Sequence, residues 1–250
     1  MYLKGGVIII GSLLWQDDLN TDQKDKVRYN WRNTSLNLAE KILTKLPIRY
    51  GRYSKGDIYT MVFSTNCEKT KRLGTGYIVP FKRNPIEHLD VLVGEARMMA
   101  KAEAMKYKFV GGTHPIWASM GILINKKKVD QKVCDQILSR WAKEFKTDGG
   151  GNDSSEYRVG KEKLSISKKG ELQIQWPNSV DKGEQSKMEE IDFLIATSTK
   201  PKYQQQGDTK YPSSNEIAAS VKNDLSRRYF INNFQNRITT FQDNSIINLL

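Results

Sequence analysis

Three groups of residues have types and spacings that can do chemistry. The first is Ile10-Gly11-Ser12-Leu13-Leu14-Trp15, where the β-branched run Val7 to Ile10 breaks at a Gly-Ser pair. A buried strand that ends this way exposes successive backbone N–H groups at the sheet end, a concavity suited to a carboxylate or phosphate. Gly11 lets a ligand come close to the main chain. An ordinary strand-ending turn satisfies the same pattern. No Gly-Lys-Ser/Thr follows and no G-x-G-x-x-G is present here, so neither a Walker loop nor a dinucleotide site is expected.

The second group centres on Glu95, within Leu89-Asp90-Val91-Leu92-Val93-Gly94-Glu95-Ala96. Helical projection sets Glu95 at the edge of an apolar stripe, near Leu92 and Met99. A carboxylate half-buried beside aliphatics has its pKa raised and can carry a proton near neutrality. An exposed helix carboxylate is the competing reading. The third group is Arg49-Tyr50-Gly51-Arg52-Tyr53-Ser54. Strand alternation puts Arg49, Gly51 and Tyr53 on one face and Tyr50, Arg52 and Ser54 on the other. Arg49 or Arg52 can neutralise an anionic ligand and Tyr53 can stack on a base. A solvated strand with amphipathic side chains fits equally.

The loop and the glutamate together resemble the gamma-glutamylcyclotransferase-like superfamily. Its members begin with a strand ending in a Tyr-Gly-Ser-Leu-type loop. Short barrel strands follow, then a helix opening with a Leu-Asp-x-x-Glu-type motif. Gly11-Ser12-Leu13 matches the loop, and Leu14-Trp15 is similar to the glutathione-specific branch. Ile48 to Ser54, Tyr59 to Phe63 and Gly76 to Phe81 fall where the barrel strands lie, and Glu95 falls at the catalytic glutamate. Ile10 stands where the family has tyrosine, and Gly94 precedes Glu95 where the family is more acidic. The likeness spans residues 6 to 105.

The resemblance implies a lyase or acyltransferase site without metal or cofactor, acting on a small-molecule carboxylate or amide. The N–H groups of Gly11, Ser12 and Leu13 would hold the substrate carboxylate. Arg49, Arg52 and Tyr53 are further substrate-binding candidates on their own strand chemistry, apart from the resemblance. Glu95 would take a proton from the α-amine of a gamma-glutamyl compound. That amine would attack the gamma-carbonyl, and Glu95 would protonate the leaving nitrogen, releasing 5-oxoproline and a free amine. Holding amine and carbonyl together makes the step intramolecular. A binding-only descendant, sensing a small anion with the same pocket, stays open.

These groups need a scaffold. The expected fold class is α+β: a small mixed or barrel-like sheet with flanking helices, plus a C-terminal α/β extension. A buried strand is expected over Gly6 to Leu14, then an irregular helix within Asp17 to Thr44. Short strands follow at Pro47 to Ser54, Ile58 to Ser64 and Gly74 to Phe81, read as a meander. The clearest helix is Pro85 to Lys106. Ala118 to Asn125 reads as a strand and Asp130 to Lys146 as an amphipathic helix. Further strands are expected on both sides of Lys168-Lys169-Gly170 and at Ile191 to Thr199. Ser213 and Glu216 have capping-box spacing. Three parts are proposed: a core domain over residues 1–146, a Gly/Ser-rich linker over 147–156, and an extension over 157–250. The late strands complete the first sheet in the alternative reading.

Composition narrows the partners. Forty Lys and Arg against 28 Asp and Glu give a net charge of +12. That excess suggests an anionic partner, and leaves nucleic acid or an acidic protein as the alternative to a small substrate. Lys126-Lys127-Lys128 and the Lys-rich stretch 161–169 are either solvated surface or an electrostatic footprint for nucleic acid. No apolar run approaches the ~20 residues a bilayer span needs, so no membrane partner is expected. Val7 to Leu14 also lacks the flanks of a signal peptide. Cys67 and Cys134 make no disulfide framework, and a cytoplasmic setting is the default. With His88 and His114 they lack zinc-ligand spacing, and His114 is either an acid–base group or a turn residue.

Overall fold

The computed structural model describes residues 2–17, 23–105, 117–145, 154–203 and 210–250. Most of the expected 147–156 linker, and His114, lie outside them. The β-branched run forms strand β1, Gly5–Ile9, with every residue buried. It lies inside a six-stranded sheet ordered β6-β8-β1-β5-β2-β7. These strands are β2 (Ile42–Leu46), β5 (Gly74–Pro80), β6 (Ala118–Ile124), β7 (Asn178–Ser179) and β8 (Phe193–Thr199). β1 runs parallel to β8, with Val7 opposite Ile195, and antiparallel to β5, with Val7 opposite Val79. All other neighbours pair antiparallel. The sheet is mixed, and it stays open instead of closing into a barrel.

β3 (Ile48–Ser54) and β4 (Ile58–Phe63) form a separate hairpin. The three short strands are therefore present, but their meander is not. β5 leaves the hairpin to sit between β1 and β2. The expected helical segment up to Thr44 is also corrected. Helix α1 spans Gln23–Ser35, and Ile42-Leu43 belong to β2. Their backbone pairs with Ile78 and Tyr77 of β5, and that ladder overrides the local helical pattern.

Helices α3 (Leu89–Ala102) and α4 (Gln131–Phe145) match the two amphipathic expectations, and α1 packs on α3. The remaining helices are α2 (Thr65–Lys69), α5 (Gln185–Glu189), α6 (Ser214–Val221), α7 (Asp224–Gln235) and α8 (Asp243–Ile247). The capping box forms at α6: Ser213 Oγ accepts from the Glu216 amide at 3.3 Å, and Glu216 Oε2 accepts from the Ser213 amide at 2.7 Å. The segments around Lys168–Gly170 make a turn closed by a bridge from Ile166 to Leu172, with a second bridge from Glu171 to Ile122, in place of two strands. Gly170, at φ +80°, supplies the left-handed residue of that turn.

One core runs through both halves of the sequence. β8 lies between β1 and β6, so the ring of Phe193 packs 6.2 Å from that of Phe81. Trp141, Phe145, Phe63 and Ile8 are buried with them, each contributing roughly 1.5–3 kcal/mol of apolar burial. Among the described residues, no helix is long and apolar enough to cross a membrane.

Candidate functional site

The central parallel pair decides where a site forms. β1 and β8 run in the same direction, and their carboxyl ends open onto one cavity of about 330 Å³. In open α/β sheets ligands settle at such carboxyl ends. β1 brings Ile8 to Leu13, and β8 brings Thr197 and Thr199. The other walls are Arg28 of α1, Met99 and Glu103 at the end of α3, Arg52 and Thr60 of the hairpin, Trp117 before β6, and Tyr229 of α7.

The loop folds as a tight turn. The amide of Leu14 donates to the Gly11 carbonyl at 3.1 Å, and that of Gln16 to the Ser12 carbonyl at 2.9 Å. The Leu13 carbonyl accepts from Arg32 Nη1 at 2.8 Å, inside the protein. No hydrogen bond is formed by the Ser12 or Leu13 amides among the described residues. Trp15 donates from Nε1 to Asn233 Oδ1 at 2.8 Å and meets the Tyr229 ring edge-on, with 6.1 Å between centroids. The turn is thus tied to α1 on one side and α7 on the other.

The hairpin is placed over the end of β8 by the segment that follows it. The Tyr53 amide donates to the Lys202 carbonyl at 2.8 Å, and the Lys202 amide to the Gly51 carbonyl at 3.1 Å. A register shift between Tyr50 and Arg52 makes Gly51 the extra residue of a β-bulge. Strict alternation therefore fails. Arg49 opposite Val62 and Arg52 opposite Thr60 share one face, while Tyr50 opposite Met61 and Tyr53 opposite Tyr59 share the other. Arg52 donates to the Lys200 carbonyl at 3.0 Å and lies 6.0 Å from the Trp117 ring. Burial lowers its pKa, and no ion pair joins it to a carboxylate among the described residues. It presents a positive charge to the cavity.

Glu103 is the one carboxylate among the described lining residues. Its side chain is 16% exposed, with Arg28 Nη2 3.5 Å from Oε2. Burial raises its pKa, while Arg28 and Thr197 pull the other way. Arg28 also donates to Gln16 Oε1 at 2.6 Å, which fixes the guanidinium between the loop and the acid. Thr197 is 8% exposed and sits beside the Glu103 carboxyl. Burial pushes the pKa of the Tyr229 hydroxyl up to about 12, against the pull of hydrogen bonds with Asn233 and the Met61 backbone.

Of the residues singled out in the sequence, Gly11, Ser12, Leu13 and Arg52 line this cavity. Arg49 instead stacks 4.0 Å from the centroid of Tyr211 and 5.3 Å from that of Phe241. Tyr53 hydrogen-bonds Asp57 at the hairpin turn. Glu95 is buried at 5% exposure but is not among the lining residues; Ser35 and Arg83 are its polar neighbours. Burial raises its pKa too, and its Oε2 lacks a partner. Glu95 and Glu103 differ by eight residues, about 12 Å along a helix axis. Only the carboxyl end of α3 reaches the cavity.

Sequence reading missed Glu103, Arg28, Trp117, Thr197, Thr199 and Tyr229. Glu103 carried a signal, since it lies four residues after Met99 on a stripe shared with Glu95. So did Thr197-Ser198-Thr199, a polar run within a strand whose neighbours are buried. Nothing local marks Arg28, Trp117 or Tyr229. Among the described residues, no group of three His, Cys, Asp or Glu is placed to hold a metal ion. No protein-family model, curated protein or solved structure matches this chain.

Proposed function

We infer that the cavity binds a small carboxylate bearing an amide and performs acid–base chemistry on it, with Glu103 as the proton carrier. The observation that carries this is the meeting of Glu103 and the Gly11–Leu13 turn in one cavity with Arg52 opposite. A volume of about 330 Å³ suits a metabolite of modest size. Two arginines against one glutamate favour an anion.

The loop's resemblance to the gamma-glutamylcyclotransferase-like superfamily supplies the substrate class, and the geometry favours moving the acid–base role from Glu95 to Glu103. Ionised Glu103 takes a proton from the substrate amine. The amine nitrogen bonds to the gamma-carbonyl carbon, the carbon–nitrogen bond of the amide breaks, and Glu103 returns the proton to the leaving nitrogen. Arg52 and the loop amides hold the carboxylate. A raised pKa suits Glu103 to both halves of this exchange.

A second reading, a sensor that binds the same molecule without turnover, is favoured by Arg28. At 3.5 Å it stabilises the ionised form of Glu103 and opposes its protonation. The deciding test offers a panel of gamma-glutamyl amines and measures 5-oxoproline, with ligand-induced thermal stabilisation in parallel. Release that survives in Glu95→Gln and disappears in Glu103→Gln supports the enzyme. Stabilisation without release supports the sensor. Neither response from any compound overturns both.

A further inference from the structure

A second concavity lies far larger than the first. It is a trough of about 1380 Å³ lined by the end of β6, the 158–176 region and the flank of α5. Its size exceeds that of a metabolite pocket. Two basic segments, well separated in the sequence, both line it: Lys126, Lys127 and Lys128, and Arg158 and Lys163. All five side chains belong to exposed residues.

Their charges are not all spoken for. Lys126 is paired with Glu171 at 2.5 Å and Lys128 with Asp192 at 2.9 Å. Lys127, Arg158 and Lys163 have no ion pair among the described residues. Opposing carboxylates on the wall are Glu68, Glu171 and Glu189. Glu68 is held by the Gln175 amide at 2.6 Å, and Glu171 by Lys126. Partly exposed Trp176 lies in the same trough with the amide side chains of Gln173, Gln175 and Asn178.

Unpaired cations spaced along an open channel, an aromatic platform and amide groups that can meet base edges are the parts of a single-strand nucleic-acid site. An acidic peptide would use the cations and the amides, but it brings no planar base to stack on the indole. We propose that this trough binds single-stranded nucleic acid, its backbone along Lys127, Arg158 and Lys163, and a base against Trp176. It is separate from the cavity of Glu103, and shares no lining residue with it.

The test is fluorescence anisotropy of a labelled 20-nucleotide oligo(U) titrated with the full chain, at 50 and 200 mM NaCl. A labelled polyglutamate and a duplex of equal length serve as comparisons. Three phosphate contacts at single-strand slopes weaken binding roughly 20-fold between those salts. K127E/R158E/K163E, exposed positions whose reversal leaves the core untouched, lowers affinity at least tenfold and flattens the salt dependence. Trp176→Ala lowers it by roughly 5- to 100-fold through lost stacking. Arg52→Met, in the other cavity, leaves it unchanged. Circular dichroism confirms that each variant is folded. No binding at 50 mM, equal binding by the triple variant, or polyglutamate binding as tightly as oligo(U) would overturn the proposal. The last result would assign the trough to an acidic protein. Preference for the duplex would overturn the single-strand assignment.

Discussion

A β-carbon placed on Gly11 would lie 2.9 Å from the hydroxyl oxygen of Tyr229, so the turn after β1 and helix α7 meet without room for a methyl group. The relationship joins the two ends of the chain at the cavity. Tyr229 is held in turn by Trp15, so it has little freedom to retreat. Gly11→Ala is expected to cost about 1–3 kcal/mol through overpacking. Removing the hydroxyl with Tyr229→Phe in the same chain should recover part of that loss. Urea denaturation of both single variants and the double variant measures the coupling. Strict additivity would show that the two residues do not press on one another.

The two glutamates of α3 should separate cleanly. Glu95→Gln is expected to alter stability and leave the cavity's ligand response intact, because Glu95 faces Ser35 and Arg83. Glu103→Gln should abolish turnover or the ligand-induced shift in Tm, whichever the parent shows. Thermal melts with and without a gamma-glutamyl amine decide it. A response lost in Glu95→Gln and kept in Glu103→Gln would restore the acid–base role to Glu95.

Arg49 and Arg52 share a face of the hairpin, yet they have different surroundings. Arg52→Met keeps an apolar stem beside Trp117 and deletes the charge. Ligand affinity should fall about 10- to 100-fold, the worth of a charged hydrogen bond. Arg49→Met removes a cation stacked between Tyr211 and Phe241 and should cost about 1–2 kcal/mol of stability, with no change in ligand affinity. Calorimetric titration of both variants with the same ligand compares them. Equal losses of affinity would contradict the placement.

Asp243 supplies a pH signature. Its carboxyl is 3% exposed, and burial lifts its pKa from 3.8 to about 6 against the pull of Thr240. A raised carboxyl means the folded state holds the proton where the unfolded state has lost it. Stability is therefore greatest below about pH 4 for this group and is lost as pH rises to about 6, by about 3 kcal/mol. Asp243→Asn keeps the acceptor that Thr240 uses at Oδ1 and removes the titration. Denaturation midpoints across pH 4 to 7 should show a shallower decline for Asp243→Asn than for the parent. Parallel curves would remove Asp243 as the source.

Local patterns were legible where an element's own residues dictate it. The apolar spacing of Leu92, Val93, Ala96 and Ala100 announces α3, and the Ser213–Glu216 pair announces the start of α6. The Val7–Ile10 run announces a strand buried on both faces. The bulge at Gly51 was not legible, because it depends on how β3 registers against β4. It is what turns Arg49 and Arg52 to the same side. Ile42-Leu43 read as helix because their strand partners, Ile78 and Tyr77, lie far along the chain.

By itself the sequence determined which stretches can be helix or strand, that a Gly-Ser break follows a buried strand, and that the surface is strongly basic. Each of these rests on neighbours within a few residues. Tertiary structure alone decided that β8 returns parallel to β1, which opens their carboxyl ends on one cavity. Packing of α3 with its carboxyl end at that cavity puts Glu103, and not Glu95, among the lining residues. It also brought Lys127 and Lys163 to one trough. Which charges face a common space is set by long-range pairing and packing, and no local pattern encodes it.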